Sequence, residues 1–290
     1  MSQFLQFLFS GLTEGAVYAL VALGFTIIYN ASDVVNFAQG EFVMLGGMVT
    51  FFANAAGLPL PLAALAAMLV TIAVGLALNK LAIGPARGAS VVTLIIITIG
   101  ASIFLKGVTQ LVFDKRFHRF QAFSGDTPIR VLDATILPQS LWVLGGAGMI
   151  FLGLWLFFNR SITGKAMSAM AANRLAAELV GIHANRMMAL AFGLSAAIGA
   201  IAGILITPIT PTSVEVGTLL ALKGFAAAML GGMGSPAGAV TGGLIVGIVE
   251  KMSAGYLSTN YKDAVAFIII LATLFVLPTG LFGKAKVERV

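Results

Sequence analysis

Nine apolar runs follow one another along this chain with little between them. They lie near residues 7–29, 37–53, 60–83, 91–113, 141–158, 187–206, 219–233, 237–252 and 264–281. Most approach the roughly 20 residues that an α-helix needs to cross a hydrocarbon core. They are far longer than the ~10-residue alternating segments of an outer-membrane barrel. Inside lipid each segment must satisfy its own backbone polar groups, so helices are the remaining option. The seventh and eighth runs are short and broken by glycine, as two half-helices or one hairpin would be. The expected fold is all-α and polytopic, with eight or nine transmembrane helices or half-helices in one domain over 1–290. Composition agrees: 59% of residues are hydrophobic, only 10% are charged, and mean hydropathy is +1.02. A soluble chain carries about 25% charged residues.

The longest polar stretch on the basic side is 159–187, NRSITGKAMSAMAANRLAAELVGIHANRM. It carries Arg160, Lys165, Arg174 and Arg186 against Glu178 alone, and Gly164 and Gly181 bound a region rich in Ala and Met, good helix formers. A plain connection could be much shorter. The expectation is a short basic helix that docks a soluble partner. Leu175, Leu179 and Ile182 would share one face, Met167 and Met170 would offer adaptable apolar contacts, and Arg174 with Glu178 would form an i,i+4 pair. Loop bases set the orientation. Lys80 with Arg87, the 159–187 segment, and the tail with Lys284, Lys286 and Arg289 are expected inside. Nine crossings then place the N-terminus outside, and an even count inside. The start, MSQFLQFLFSGLTEG, lacks a basic region and a clear cleavage site and reads as a first span.

Polar residues inside or beside spans are the candidate pathway. Asp33, Asn36, Gln39 and Glu41 cluster around Phe37 and Gly40 where the second run opens. Glu41 either caps a helix start, where the dipole favours an acid, or serves a pathway. Met44–Met48 (MLGGM) recurs at Met229–Met233, after Phe37 and Phe225 respectively. This is either chance in a Gly- and Met-rich chain or a sign of two structural halves. On the second reading Glu41 would pair with Lys223, since each precedes its copy of the motif. Lys106 and Lys251 are read as reaching to an interface, and Pro208 and Pro211 as forming an extended loop. Gly234, Gly238 and Gly242, with Gly243 and Gly247, make a small-residue stripe. It suits close helix packing within the chain more than a contact between chains.

Several chemistries find no support. There is no GxxxxGK[ST] loop, no Ser/His/Asp set, and no cysteine for thiolate metal sites or disulfides. His118 and His183 are lone loop residues, read as solvated. The formal charge of +6 is scattered over loop ends, so it does not point to nucleic acid. The chain carries no obvious row of intramembrane acids, which argues against an ion-coupled secondary carrier.

At several long stretches the chain resembles the H-type permease subunits of bacterial high-affinity branched-chain amino-acid ABC importers, of the ribose-type permease family. These stretches include GLTEGAVYALVALGFTIIYN, VVNFAQGEFVMLGG, PARGASVVTLIIITIGASIFL and KGFAAAMLGGMGSPAGAVTGGLIVGIVE. The family usually shows His or Gln at the position of Gln39. The resemblance implies a fold related to type II importers with two pseudo-repeated halves, placed in the bacterial inner membrane. It implies a second related permease, two cytoplasmic ATPases that hold the ATP–Mg, and a periplasmic binding protein. The chain would hold no cofactor and catalyse no reaction itself. Segment 159–187 then corresponds to the ATPase-coupling region, with Gly164, Ala171 and Gly181 matching its glycine–alanine–glycine pattern. Import of another amino acid, urea or a short amide is the alternative within the family.

Overall fold

In the computed structural model, residues 2–86, 88–131 and 134–259 are described, together with 264, 267–268, 271–272 and 275–283. Among them are ten α-helices: α1 (Ser2–Ser32), α2 (Gln39–Ala55), α3 (Leu60–Leu78), α4 (Val91–Val112), α5 (Pro138–Arg160), α6 (Ile162–Ala172), α7 (Arg174–Leu179), α8 (Ala184–Ile206), α9 (Val216–Gly231) and α10 (Pro236–Tyr256). A π-helical turn, Asn79–Ile83, continues α3. Six of the helical stretches are long and apolar enough to cross a membrane: Gln3–Ser32, Leu60–Ile83, Val91–Val112, Pro138–Arg160, Ala184–Ile206 and Pro236–Tyr256. The ninth apolar run and the bases Arg87, Lys284, Lys286 and Arg289 lie wholly or largely outside the described residues.

Local chemistry sets the helix starts. Ser90 accepts a hydrogen bond from the Thr93 N–H ahead of α4, and Ser235 accepts one from Gly238 ahead of α10. Each satisfies a backbone donor that the first turn leaves free. Pro138 and Pro236 occupy first-turn positions that need no N–H.

The core is built around α1. From Ala16 to Leu23 every side chain is almost fully enclosed, packed by α8, α9 and α10. The glycine stripe makes this possible. Gly238 and Gly242 face α9, while Gly243 and Gly247 face α1. A Cβ on Gly242 would stand 2.1 Å from the Ala227 carbonyl oxygen, and one on Gly243 would stand 2.3 Å from the Ala19 nitrogen. Only glycine lets these backbones approach so closely. The neighbouring Gly234 lies in the α9–α10 turn, where its carbonyl accepts from Asn30 at the end of α1. The outward sides of α3 and α5 expose large apolar residues such as Leu69 and Leu152.

Two short helices share a junction in the middle of the bundle. Gln39, the first residue of α2, contacts Ser195, the midpoint of α8. At the start of α9, Gly217 packs on Gly40. From there the two helices run to opposite ends. The end of α2 stacks Phe52 on Phe113 beyond α4, whereas α9 ends at Gly231 against the start of α10. The two MLGGM copies are not placed equivalently: Met44–Met48 lies inside α2, but Met229–Met233 runs past the end of α9. Their aromatic partners do converge, with Phe37 and Phe225 rings 5.4 Å apart and both beside Phe25.

Four expectations need correction here. The fold is mostly helical but includes an antiparallel hairpin, β1 (Ile129–Val131) and β2 (Ala134–Ile136), tied to α1 by Thr135 donating to Gln6 Oε1. His118 is not solvated. Its ring stacks on Phe51 at 4.3 Å, and Nε2 lies 2.5 Å from Asp114 Oδ1. Its backbone bridges Thr212, so the Pro208–Pro211 stretch begins as a turn on the end of α8 before it extends. Lys106 and Lys251 do not simply reach outward, because each meets an acid at 2.5 Å: Glu215 and Glu14.

Candidate functional site

The mid-bundle junction gathers the polar residues of the second apolar run. Asn36, Gln39 and Glu41 are fully buried. Gln39 Oε1 lies 2.5 Å from the Ser195 hydroxyl, which also lies 2.9 Å from the Gly24 carbonyl. Asn36 Oδ1 accepts from the Ala38 N–H and shapes the approach to α2. Phe37 N–H donates to Thr98 on α4. Glu41 Oε1 accepts from Ser102, also on α4, at 2.9 Å. Its Oε2 has no hydrogen-bond partner and faces Gly217 at the first turn of α9. The junction thus joins α1, α2, α4, α8 and α9 through side chains. A helix start carries positive partial charge, so the α9 first turn favours a carboxylate there.

Lys223 is not part of that junction. It does not pair with Glu41. Its Nζ lies 2.7 Å from Glu250 Oε1 on α10 and 3.3 Å from the Tyr18 hydroxyl. Tyr18 in turn donates to Glu250 at 2.9 Å. The reason is positional. Lys223 sits halfway along α9, on the side shared with α1 and α10, whereas Glu41 meets the very start of α9. Tyr18 and Ser195 had no signal in the sequence beyond helical spacing from Glu14 and membership of a small-residue run. Glu215 lies between two apolar runs with no motif around it to single it out.

The second candidate surface lies at the end of the bundle where α1 finishes. Segment 159–187 is two helices instead of one. Asn173 breaks it, with extended backbone (φ −158°, ψ 105°) and a side chain that accepts from the Ala176 N–H. Ser161 caps α6 in the same way. Gly164 is enclosed against the backbone of Phe157 and Phe158. Met167 and Met170 are buried at 4% exposure, and Met170 packs with Ala177 and Ala184. These methionines therefore anchor the helices to the bundle and do not present a contact surface. Ile182 joins that packed group and leaves the face expected with Leu175 and Leu179, because Gly181 (φ +89°) turns the chain first. Leu175 and Leu179 are exposed at 75% and 88%. Arg174 and Glu178 do pair, at 3.3 Å. Lys165 and Ala171 are exposed. Ala171 also lines a cavity of about 700 Å³ with Asn30, Asp33, Met233, Gly234 and Phe282.

Residues 7–274 match the family described as branched-chain amino acid transport system / permease component. The chain is 34% identical to the high-affinity branched-chain amino acid transport system permease protein LivH of Salmonella typhimurium, covering 99% of this chain and 98% of the relative. It is 33% identical to the corresponding protein BraD of Pseudomonas aeruginosa over the same shares. It is also 26% identical to the ribose import permease protein RbsC of Escherichia coli, over 93% of this chain and 84% of the relative. With its buried polar junction and its row of apolar helices, the chain belongs to the family of branched-chain amino acid transport system permease components.

Proposed function

We propose that this chain is the transmembrane permease subunit of an ABC importer for branched-chain amino acids, with leucine, isoleucine and valine as its substrates. A periplasmic binding protein delivers the substrate. A second, related permease completes the passage, and two cytoplasmic ATPases bind ATP–Mg and drive it. The chain itself holds no cofactor. It lies in the bacterial inner membrane with the α6–α7 end facing the cytoplasm and the N-terminus outside. α2 and α9 are half-helices that meet at mid-depth, and the last apolar run adds a further crossing, giving the nine-crossing count that places the N-terminus outside. The two halves of the chain are related as a degenerate repeat.

The observation that carries this reading is the α6–α7 pair together with end-to-end similarity to importer permeases. Buried Met167 and Met170 fix the pair to the bundle, while Leu175 and Leu179 stand out from it. Two exposed leucines flanked by an ion pair form an apolar knob for a partner groove. An ATPase seated there moves α6–α7 as a unit, and Gly164 and Gly181 transmit that movement to α5 and α8. The test replaces Leu175 and Leu179 with aspartate in the reconstituted importer. Stimulation of ATP hydrolysis by liganded binding protein should be lost while the permease still inserts and folds. Wild-type stimulation in that variant would exclude α6–α7 as the docking surface.

A further inference from the structure

The face formed by α4 and the start of α9 differs from the outward faces of α3 and α5. α3 contains no charged residue, and α5 has none before Arg160. Their exposed side chains include Leu65, Leu69, Leu152 and Trp155. On the α4–α9 face, Lys106 Nζ meets Glu215 Oε2 at 2.5 Å. This pair is not at a membrane margin. Ser102, near the midpoint of α4, holds Glu41, and Lys106 lies one turn, about 6 Å, further along. Glu215 immediately precedes α9, whose second residue packs on Gly40 at the mid-bundle junction. Even with its partner in place, the Glu215 side chain remains 75% exposed. A charged group so exposed at that depth faces a water-filled cavity or another protein, not hydrocarbon. Behind it Glu41 is fully buried, with Oε2 unpartnered.

We infer that the α4–α9 face lines the water-filled passage between this chain and its partner permease, and that Lys106 and Glu215 receive the zwitterionic head group of the passing amino acid. The substrate carboxylate replaces Glu215 at the Lys106 ammonium, and the substrate ammonium replaces Lys106 at the Glu215 carboxylate. One ion pair becomes two, so every charge keeps a partner throughout. The inference rests on the amino-acid permease reading above.

The native chain has no cysteine, so single replacements report cleanly. Glu215→Cys places a thiol in the pair. Leu219→Cys, one turn along α9 and 56% exposed, leaves the pair intact. Leu152→Cys on α5 is the lipid-facing control. The complete importer in nanodiscs is treated with a charged, water-soluble methanethiosulfonate. The first two positions should react about tenfold faster than the third or more, because only they are hydrated, and uptake should fall as they react. Glu215→Gln should slow leucine uptake, and Lys106→Glu combined with Glu215→Lys should recover part of the loss. If Leu219→Cys resists the charged reagent in an importer whose wild type transports leucine, the pathway assignment is wrong. If that thiol reacts but Glu215→Gln transports normally, the head-group role is wrong. An intact complex with no amino-acid uptake would instead overturn the parent reading, and the head-group role with it.

Discussion

Replacing Glu250 by glutamine removes the carboxylate that the Lys223 ammonium meets at closest range inside the bundle. The pair is close, with Nζ 2.7 Å from Oε1, and enclosed, with side-chain exposures of 13% and 1%. Removing one member of a buried pair costs about 3–5 kcal/mol, because the other charge stays buried. The lower end applies, about 3 kcal/mol, since the Tyr18 hydroxyl can still bond to the glutamine and the Tyr18 ring lies 5.4 Å from Nζ. Reversible unfolding in mixed micelles, read as a double-mutant cycle with Lys223→Met, isolates the pair term. A coupling of about 1–3 kcal/mol between Lys223 and Glu250 is expected for residues in one network. The same cycle between Lys223 and Glu41 should be additive within about 0.5 kcal/mol. The reverse result, with Lys223 coupled to Glu41 and independent of Glu250, would refute the reasoning.

Three further outcomes are expected. Gly242→Val should abolish monodisperse folding, since even a Cβ would meet the Ala227 carbonyl at 2.1 Å, whereas Gly148→Val, with open space around it, should be tolerated; size-exclusion profiles of fluorescent fusions distinguish them. Gly181 has open space but positive φ, so Gly181→Asn should keep ATPase stimulation by liganded binding protein and Gly181→Val should weaken it. The hydrogen bond with His118 holds the Asp114 carboxyl below the usual carboxylate range. A depressed folded-state value means a contribution present above the unfolded pKa, about 3.9, and lost as pH falls through the lower folded value. Asp114→Asn should therefore lower the melting temperature at neutral pH and flatten its decline in acid.

The membrane-spanning pattern was legible because apolar run length is a direct consequence of bilayer thickness. The glycine stripe was legible for a similar reason: a spacing of four maps small residues onto one side of a helix. Side-chain pairing was not. Glu41 and Lys223 each precede a copy of MLGGM, yet at different distances from it, and α2 and α9 run in opposite directions from their junction, so the shared motif does not bring the two side chains together. The methionines of α6 carried no mark of inward or outward direction, because the break at Asn173 resets the helical phase. Glu215 gave no sign of its depth, since the chain folds back from the end of α8 into the middle of the bundle before α9 begins. The hairpin at 129–136 is too short for its alternation to stand out from a polar loop.

Leucine uptake into proteoliposomes is the most direct single measurement. The vesicles contain this chain, its partner permease and both ATPases, with liganded binding protein outside and ATP inside. Uptake of labelled leucine should require ATP and the binding protein together, and unlabelled isoleucine or valine should compete with it. Accumulation that proceeds without ATP, or an intact complex that hydrolyses ATP yet moves none of the three amino acids, would contradict the assignment.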